Sequence, residues 1–320
     1  MDRTEGLRST GYIYDDMYLR HELGRGHPES PDRLRAITRI MDESGLIKKV
    51  RCISPIADKD LIKHSIAAIH SESHIASVQD CGITGTAAFA AVGGVLSAVD
   101  QVCTAKVRNA FCALRPPGHH AHNNGAHHDG LGEGQGFCFL NNVAIGARYS
   151  QQHYGCARIL ILDWDYHHGN GTEWAFYEDP TVFFFSTHAL FAYPGTGDPF
   201  RTGEGKGKGY NLNVLLDPYA TDQDILDAWQ TKLLPRLDEL QFKPDLVFIS
   251  AGFDSREGDT LGNFQITDAA YVKMTRIAMD IAARNCGGKL ISVLEGGYNP
   301  DGLAEGVAAH VKTLAEYSPV

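Results

Sequence analysis

The chain has 320 residues, 43% of them hydrophobic, which is enough to fill the core of a large α/β domain and excludes an intrinsically disordered protein. Its 29 Lys and Arg against 39 Asp and Glu give a formal charge of −10, which argues against nucleic acid as a partner and favours the approach of a cationic substrate. Seven cysteines scattered singly, with no CxxC pair, exclude a disulfide framework or a zinc ribbon. With no signal-peptide core at the N-terminus and no window near the roughly 18 apolar residues of a membrane span, the expectation is a cytoplasmic protein without a membrane partner.

In chain order, residues 11–14 predict a first strand, and HPESPDRL, residues 27–34, opens a helix in which Leu34, Ile37, Ile40 and Met41 recur at helical spacing. Arg33 reads, from the residues alone, as a solvated helix charge. Residues 50–53 predict a strand and 58–77 a helix, with His64, His70 and His74 near its ends as structural histidines. Residues 84–105, rich in Ala, Val and Gly, predict a buried helix packed close to a neighbour. The strand at 110–114 breaks into RPPGHH, whose Pro-Pro-Gly turn presents His119 and His120 from a stiff loop. The His- and Gly-rich stretch 121–135 reads as a loop, with His122, His127 and His128 in water. GFCFLNN, residues 136–142, leads into a helix capped near Asn141 and Asn142, with Phe137 as core or as the lining of a slot.

ILILDWDYHHGNGT, residues 159–172, is a buried parallel strand that ends in ionisable residues. Positions i, i+2 and i+4 of an extended segment share a face, so Asp163, Asp165 and His167 point the same way, a donor set suited to a divalent metal such as zinc. Residues 174–177 continue a helix and 181–186 form a strand that ends at Ser186. The Gly-rich loop 192–209 lacks the GxxxxGK[ST] order of a phosphate loop. A strand at 211–216 and a helix at 224–240 precede the strand 245–250, which runs into AGFDSREGD and offers Asp254 as third metal ligand. A helix at 266–284 and a strand at 289–294 lead to EGGY, where two glycines turn Tyr298 inward as acid or electrophile. A helix at 301–317 closes one α/β domain with a mainly parallel central sheet flanked by helices. Asp165, His167 and Asp254 leave a coordination position open to water, His119 and His120 transfer protons, and Tyr298 meets a developing oxyanion, so amide hydrolysis follows from these parts.

RPPGHH, GFCFLNN, DWDYHHGNGT, YPGTGD, AGFDSR and LEGGY, in this order and spacing, resemble the zinc-dependent histone deacetylase family, over nearly the whole chain from HPESPDRL to LEGGY. The resemblance implies an arginase-like single-domain fold. It implies one zinc ion, with Fe2+ as the alternative, on Asp165, His167 and Asp254. It assigns His119 and His120 as the tandem histidines, with Asp163 as partner of His119, and Tyr298 as the carbonyl-polarising tyrosine. Asn170 orients His120, where many members have Asp. Gly136 and Phe137 match one wall of an acyl-lysine tunnel and Tyr193 the opposite wall, usually Phe or Pro. Asp163, Asp165 and Ser186 match a structural potassium site, and Arg33 an acetate-channel residue.

The implied substrate is acetylated lysine in a protein or peptide, with acetylated polyamine as the rival. Polyamine-selective relatives can carry a carboxylate seven residues after the third ligand, where this chain has Leu261, although Glu257 and Asp259 are close in sequence. The acidic charge and the small extent beyond the catalytic region resemble a bacterial stand-alone histone deacetylase-like amidohydrolase. A ureohydrolase would need further carboxylates after the Asp254 strand, and a non-catalytic acyl-lysine binding module would have lost a ligand or the tyrosine.

Overall fold

Short runs of Val, Ile, Leu and Phe without polar alternation form strands buried on both faces. In the computed structural model, which describes residues 10–124 and 135–318, eight strands build one sheet, whose interior strands are buried throughout and whose two edge strands, Val50–Ile53 and Asn211–Leu216, are only partly buried. The eight are β1 (Thr10–Ile13), β2 (Val50–Ile53), β3 (Asn109–Cys112), β4 (Ile159–Asp163), β5 (Val182–Ala189), β6 (Asn211–Leu216), β7 (Leu246–Ala251) and β8 (Leu290–Leu294). Their order is β2-β1-β3-β8-β7-β4-β5-β6, and every neighbouring pair is parallel. The expected single α/β domain is present, and its sheet is wholly parallel. The N-terminal nine residues and the loop histidines His127 and His128 lie outside the described residues.

Among the described residues, ten α-helices flank the strands: α1 (Asp32–Glu43), α2 (Lys59–Ala67), α3 (Glu72–Asp80), α4 (Ile83–Cys103), α5 (Asn142–Tyr154), α6 (Asn170–Phe176), α7 (Asp222–Ala228), α8 (Leu234–Glu239), α9 (Asp268–Cys286) and α10 (Pro300–Glu316). α1, α9 and α10 pack together and α4 packs with α5; both groups reach β3, whose residues are all buried. α4 is long and apolar enough to cross a membrane, contrary to the expectation that no window is, but 67% of its most apolar window is buried inside the fold.

Two predicted helices are divided. The 58–77 segment breaks before Ser71, whose hydroxyl caps α3 by accepting from the His74 amide. The break frees His70, whose Nδ1–H donates to the His122 carbonyl at 2.8 Å while its Nε2 accepts from the Asn141 amide at 2.9 Å. Burial pushes the His70 imidazole down to about 3, so it stays neutral in this bridging role. The 224–240 segment becomes α7 and α8, joined by a π-helical turn at Trp229–Leu233. Pro235 is the cause: it lacks an N–H and its ring clashes with the carbonyl four residues earlier, so the hydrogen-bond ladder must shift. β5 runs past the predicted end at Ser186 to Ala189, because β6 pairs with it as far as Leu216.

Arg33 is wholly buried, which corrects its reading as a solvated charge. Its Nη1–H donates to Glu29 Oε1 at 2.9 Å, its Nε–H to the Gly297 carbonyl at 2.6 Å and its Nη2–H to the Glu295 carbonyl at 2.5 Å. Arg115, equally buried, grips Glu29 through Nε and Nη2 and donates from Nη1 to the Tyr18 carbonyl at 2.9 Å. One carboxylate thus ties the N-terminal segment, the turn after β3 and the turn after β8 into a unit. Burial works against its charge, but the hydrogen bonds and the two guanidiniums hold Glu29 far below the usual carboxylate range. Glu29→Gln leaves two buried guanidiniums sharing no anion and should cost about 3–5 kcal/mol of stability, measured by urea denaturation. A loss below about 1 kcal/mol would show that the guanidiniums find other partners.

Candidate active site

In an open parallel sheet, ligands bind outside the carboxyl ends of the strands near a reversal of strand order. Here β3, β8, β7 and β4 are consecutive neighbours, and the chain leaving each contributes ionisable side chains. Asp163 ends β4 beside Ser250 of β7, and Asp254 follows four residues after that serine.

One ligand atom each from Asp165, His167 and Asp254 fall within 4.8 Å of one another. His167 Nδ1 is 3.2 Å from Asp165 Oδ1 and 3.0 Å from Asp254 Oδ2. Backbone amides occupy other lone pairs of the carboxylates: His167 donates to Asp165 Oδ1 at 2.9 Å, Gly296 to Asp165 Oδ2 at 2.9 Å and Tyr166 to Asp254 Oδ1 at 3.0 Å. Burial and the Asp165 charge push Asp254 up to about 7. Burial alone would push His167 down, but the two carboxylates raise it to about 10. Both shifts report a dry site that calls for positive charge, and two carboxylates with one imidazole fit a divalent metal ion.

The tandem histidines are buried beside this trio. His119 Nδ1–H donates to Asp163 Oδ2 at 3.0 Å, and His120 Nδ1–H to Asn170 Oδ1 at 2.7 Å, so both predicted partners are met. Burial opposes charge on His119, but Asp165 and Asp163 hold its pKa well above the ordinary range. His120 faces an amide instead, and burial together with its neighbour His119 keeps it well below that range. The turn carrying both is held by Glu295, whose Oε2 accepts from the amides of Gly118 at 2.7 Å and His119 at 3.1 Å. Burial pushes Glu295 up to about 7.

A cavity of about 610 Å³ opens onto these groups, and His120, Gly136, Phe137, Tyr193, Leu261 and Tyr298 line it. Gly136 has φ +51°, and a Cβ there would lie 2.2 Å from His120 Cδ2, so this wall approaches His120 only with glycine. Phe137 takes φ 67°, rare for a bulky side chain, and meets Tyr298 edge-on at 5.8 Å between ring centroids. Tyr193 stands edge-on to His120 at 5.0 Å. Tyr298 is 8% exposed, and burial with the Asp254 charge raises its phenol well above the ordinary range. Gly297, at φ +118°, makes the turn that precedes it.

Ser186 lies opposite Asp163 in the β4–β5 pair, with its hydroxyl bonded to His188 Nδ1 at 2.9 Å. Arg33 is behind Tyr298, its guanidinium carbon 5.1 Å from the ring centroid. Asp259, read as a carboxylate near the tunnel, is committed: it accepts from the amides of Tyr298 at 2.6 Å and Asn299 at 3.0 Å through one oxygen and of Leu261 at 2.9 Å through the other. Leu261 is 39% exposed.

Sequence reasoning missed Glu29, Glu295 and the place of His122. Glu295 follows the last apolar strand as Asp163 ends β4, and that shared position was the available signal. His122, expected in water, is 6% exposed, and its Nε2 meets Asn170 Nδ2 at 2.9 Å.

Residues 27–314 match the model of the histone deacetylase domain. A probable deacetylase of Archaeoglobus fulgidus is 35% identical over 308 residues, covering 92% of this chain and 82% of its own length. Histone deacetylase 5 of Arabidopsis thaliana is 35% identical over 342 residues, covering 97% of this chain, which spans only 49% of that relative. The crystal structure of the HDA15 HD domain superposes with a TM-score of 0.87 at 33% identity, covering 98% of this chain and 90% of that one. With the domain match extending over most of its length, this chain belongs to the histone deacetylase family.

Proposed function

We propose that the chain is a zinc-dependent deacetylase that hydrolyses the amide of acetylated lysine side chains in peptides or proteins, releasing acetate and the free amine. The observation that carries this reading is the meeting of the Asp165, His167 and Asp254 ligand set with two buried histidines and a buried phenol along one open slot. A zinc ion held by those three residues, or Fe2+ in its place, supplies Lewis acidity toward a carbonyl and acidifies water. Phe137 and Tyr193 flank the lysine stem. Neutral His120 takes the proton of the attacking water on Nε2 and returns it to the leaving amine, while its Nδ1–H stays on Asn170. His119, kept charged by Asp163, adds positive potential beside the reacting carbon. Tyr298, held protonated by burial, donates its O–H to the carbonyl oxygen as negative charge develops. Arg33 is the cation a departing acetate meets. A potassium ion at the Asp163, Asp165 and Ser186 register belongs to the same reading, as does a reducing, cytoplasmic setting, which the seven unpaired cysteines favour.

Removal of the metal by a chelator should abolish turnover of an acetyl-lysine peptide, and zinc should restore it. Full activity in protein shown to be metal-free would refute the mechanism. Tyr298→Phe should keep the fold and metal content and lower kcat by roughly a hundredfold or more, the usual loss for one oxyanion donor; a wild-type rate would leave Tyr298 as packing. Acetyl-lysine peptide should be preferred over acetylated polyamine, because a second ammonium needs a carboxylate near the slot and Asp259 is occupied by backbone amides. Leu261→Glu should move the ratio of kcat/KM values toward the polyamine. An unchanged ratio, or a wild type already favouring the polyamine by about tenfold, would overturn this preference.

A further inference from the structure

The two tandem histidines are held by different kinds of acceptor. His119 donates to a carboxylate, whose two oxygens are equivalent, so either face of the Asp163 group serves. His120 donates to an amide, which has one accepting end and one donating end. If the Asn170 amide turned over, its NH2 would confront the Nδ1–H of His120. The ring would then have to carry its proton on Nε2, where it could no longer accept one from water. Something must therefore hold the amide the right way round. Among the described residues, a group in contact with its donating end is His122, whose Nε2 lies 2.9 Å from Asn170 Nδ2. Nε2 serves as acceptor only in the Nδ1–H form of that ring, and an acceptor there is satisfied only by the NH2 end. The backbone of His122 is itself pinned from both sides: Gln135 Oε1 accepts from its amide at 2.9 Å, and its carbonyl accepts from His70 at 2.8 Å.

We infer that His122 is a positioning residue that fixes the amide of Asn170 and, through it, the tautomer of His120. This rests on the reading of His120 as the proton-transferring group. An Asp at position 170 would not need this help. One of its oxygens would accept from His120, and His122 would change tautomer and donate to the other.

The test is a double-mutant cycle in the metal-loaded enzyme with an acetyl-lysine peptide. His122→Leu should lower kcat by about tenfold or more with KM little changed, the usual scale for losing a group that orients a reacting side chain. In the Asn170→Asp background the same substitution should change kcat by less than about twofold, because a carboxylate has no wrong end. His122→Gln, whose carbonyl oxygen can accept from Asn170 near the position of Nε2, should recover most of the loss. An equal loss in both backgrounds, no loss in either, or a Gln variant as slow as Leu would overturn the inference. Long-range proton–nitrogen NMR of the ring of His120, assigned with His120→Ala, reads the tautomer without turnover. It should show Nδ1–H in the wild type and a mixture in His122→Leu, and an unchanged tautomer would overturn the inference as well. Failure of the wild type to turn over any acetyl-lysine peptide, with the NMR result as expected, would instead refute the proposed function and leave the positioning role standing.

Discussion

Four carboxylates, Asp163, Asp165, Asp254 and Glu295, are fully buried at the carboxyl edge of the sheet, and the architecture of the site follows from how that charge is held. Isolated ions at such depth are too costly to survive, so each group must gain hydrogen bonds, a cation or a proton. Asp165 falls below the usual carboxylate range despite its burial, beside the His119 and His167 imidazoles and the His167 amide, whereas burial pushes Asp163 up although His119 and the Asp165 amide work against that shift. Burial above all, with the charges of Asp165 and Asp163 respectively adding to it, pushes Asp254 and Glu295 up to about 7. A divalent ion on Asp165, His167 and Asp254 would offset that buried negative charge, which would make the binding of metal and the stability of the edge the same electrostatic question.

Behind this edge the sign of the problem is reversed. Arg33 and Arg115 bring two guanidiniums into the interior around the single carboxylate of Glu29, and each also donates to main-chain carbonyls. Because Arg33 holds the carbonyls of Glu295 and Gly297, the turn that presents Tyr298 is fixed from behind while Asp259 accepts its amide from the other side. The Gly-Gly turn before the phenol is thus held from both sides, as the oxyanion-donor role proposed for Tyr298 would require. Phe137 shows a related constraint, since its left-handed backbone is retained where it brings the ring to the slot.

The legible parts of the sequence were those in which chemistry and local pattern coincide. Apolar runs named all eight strands, and the alternation in DWDYHH placed Asp163, Asp165 and His167 on one face before any fold was known. Asp254 was found because it follows an apolar strand whose end is marked locally, whereas Asn170 came only from the resemblance to the histone deacetylase family. Even the errors in the helices have local causes visible afterwards: Pro235 displaced the ladder after α7, and Ser71 ended one helix by capping the next.

Other features had no local signature. That β8 lies between β3 and β7, bringing Tyr298 and Glu295 against the tandem histidines, is a choice of pairing partner that parallel strands of similar composition do not declare. Arg33 and a surface arginine look alike in a helical repeat, and only burial beside Glu29 and two carbonyls separates them. Asp259 was read as a carboxylate near the tunnel and His122 as a loop histidine in water because their partners, the amides after β8 and the amide of Asn170, are 40 and 48 residues away in the chain. The sequence by itself determined the ligand types, the strands and the side each residue faces, since these depend on backbone periodicity and side-chain chemistry. Tertiary structure alone decided which buried charges share a partner, because that depends on distances across the sheet that periodicity does not encode.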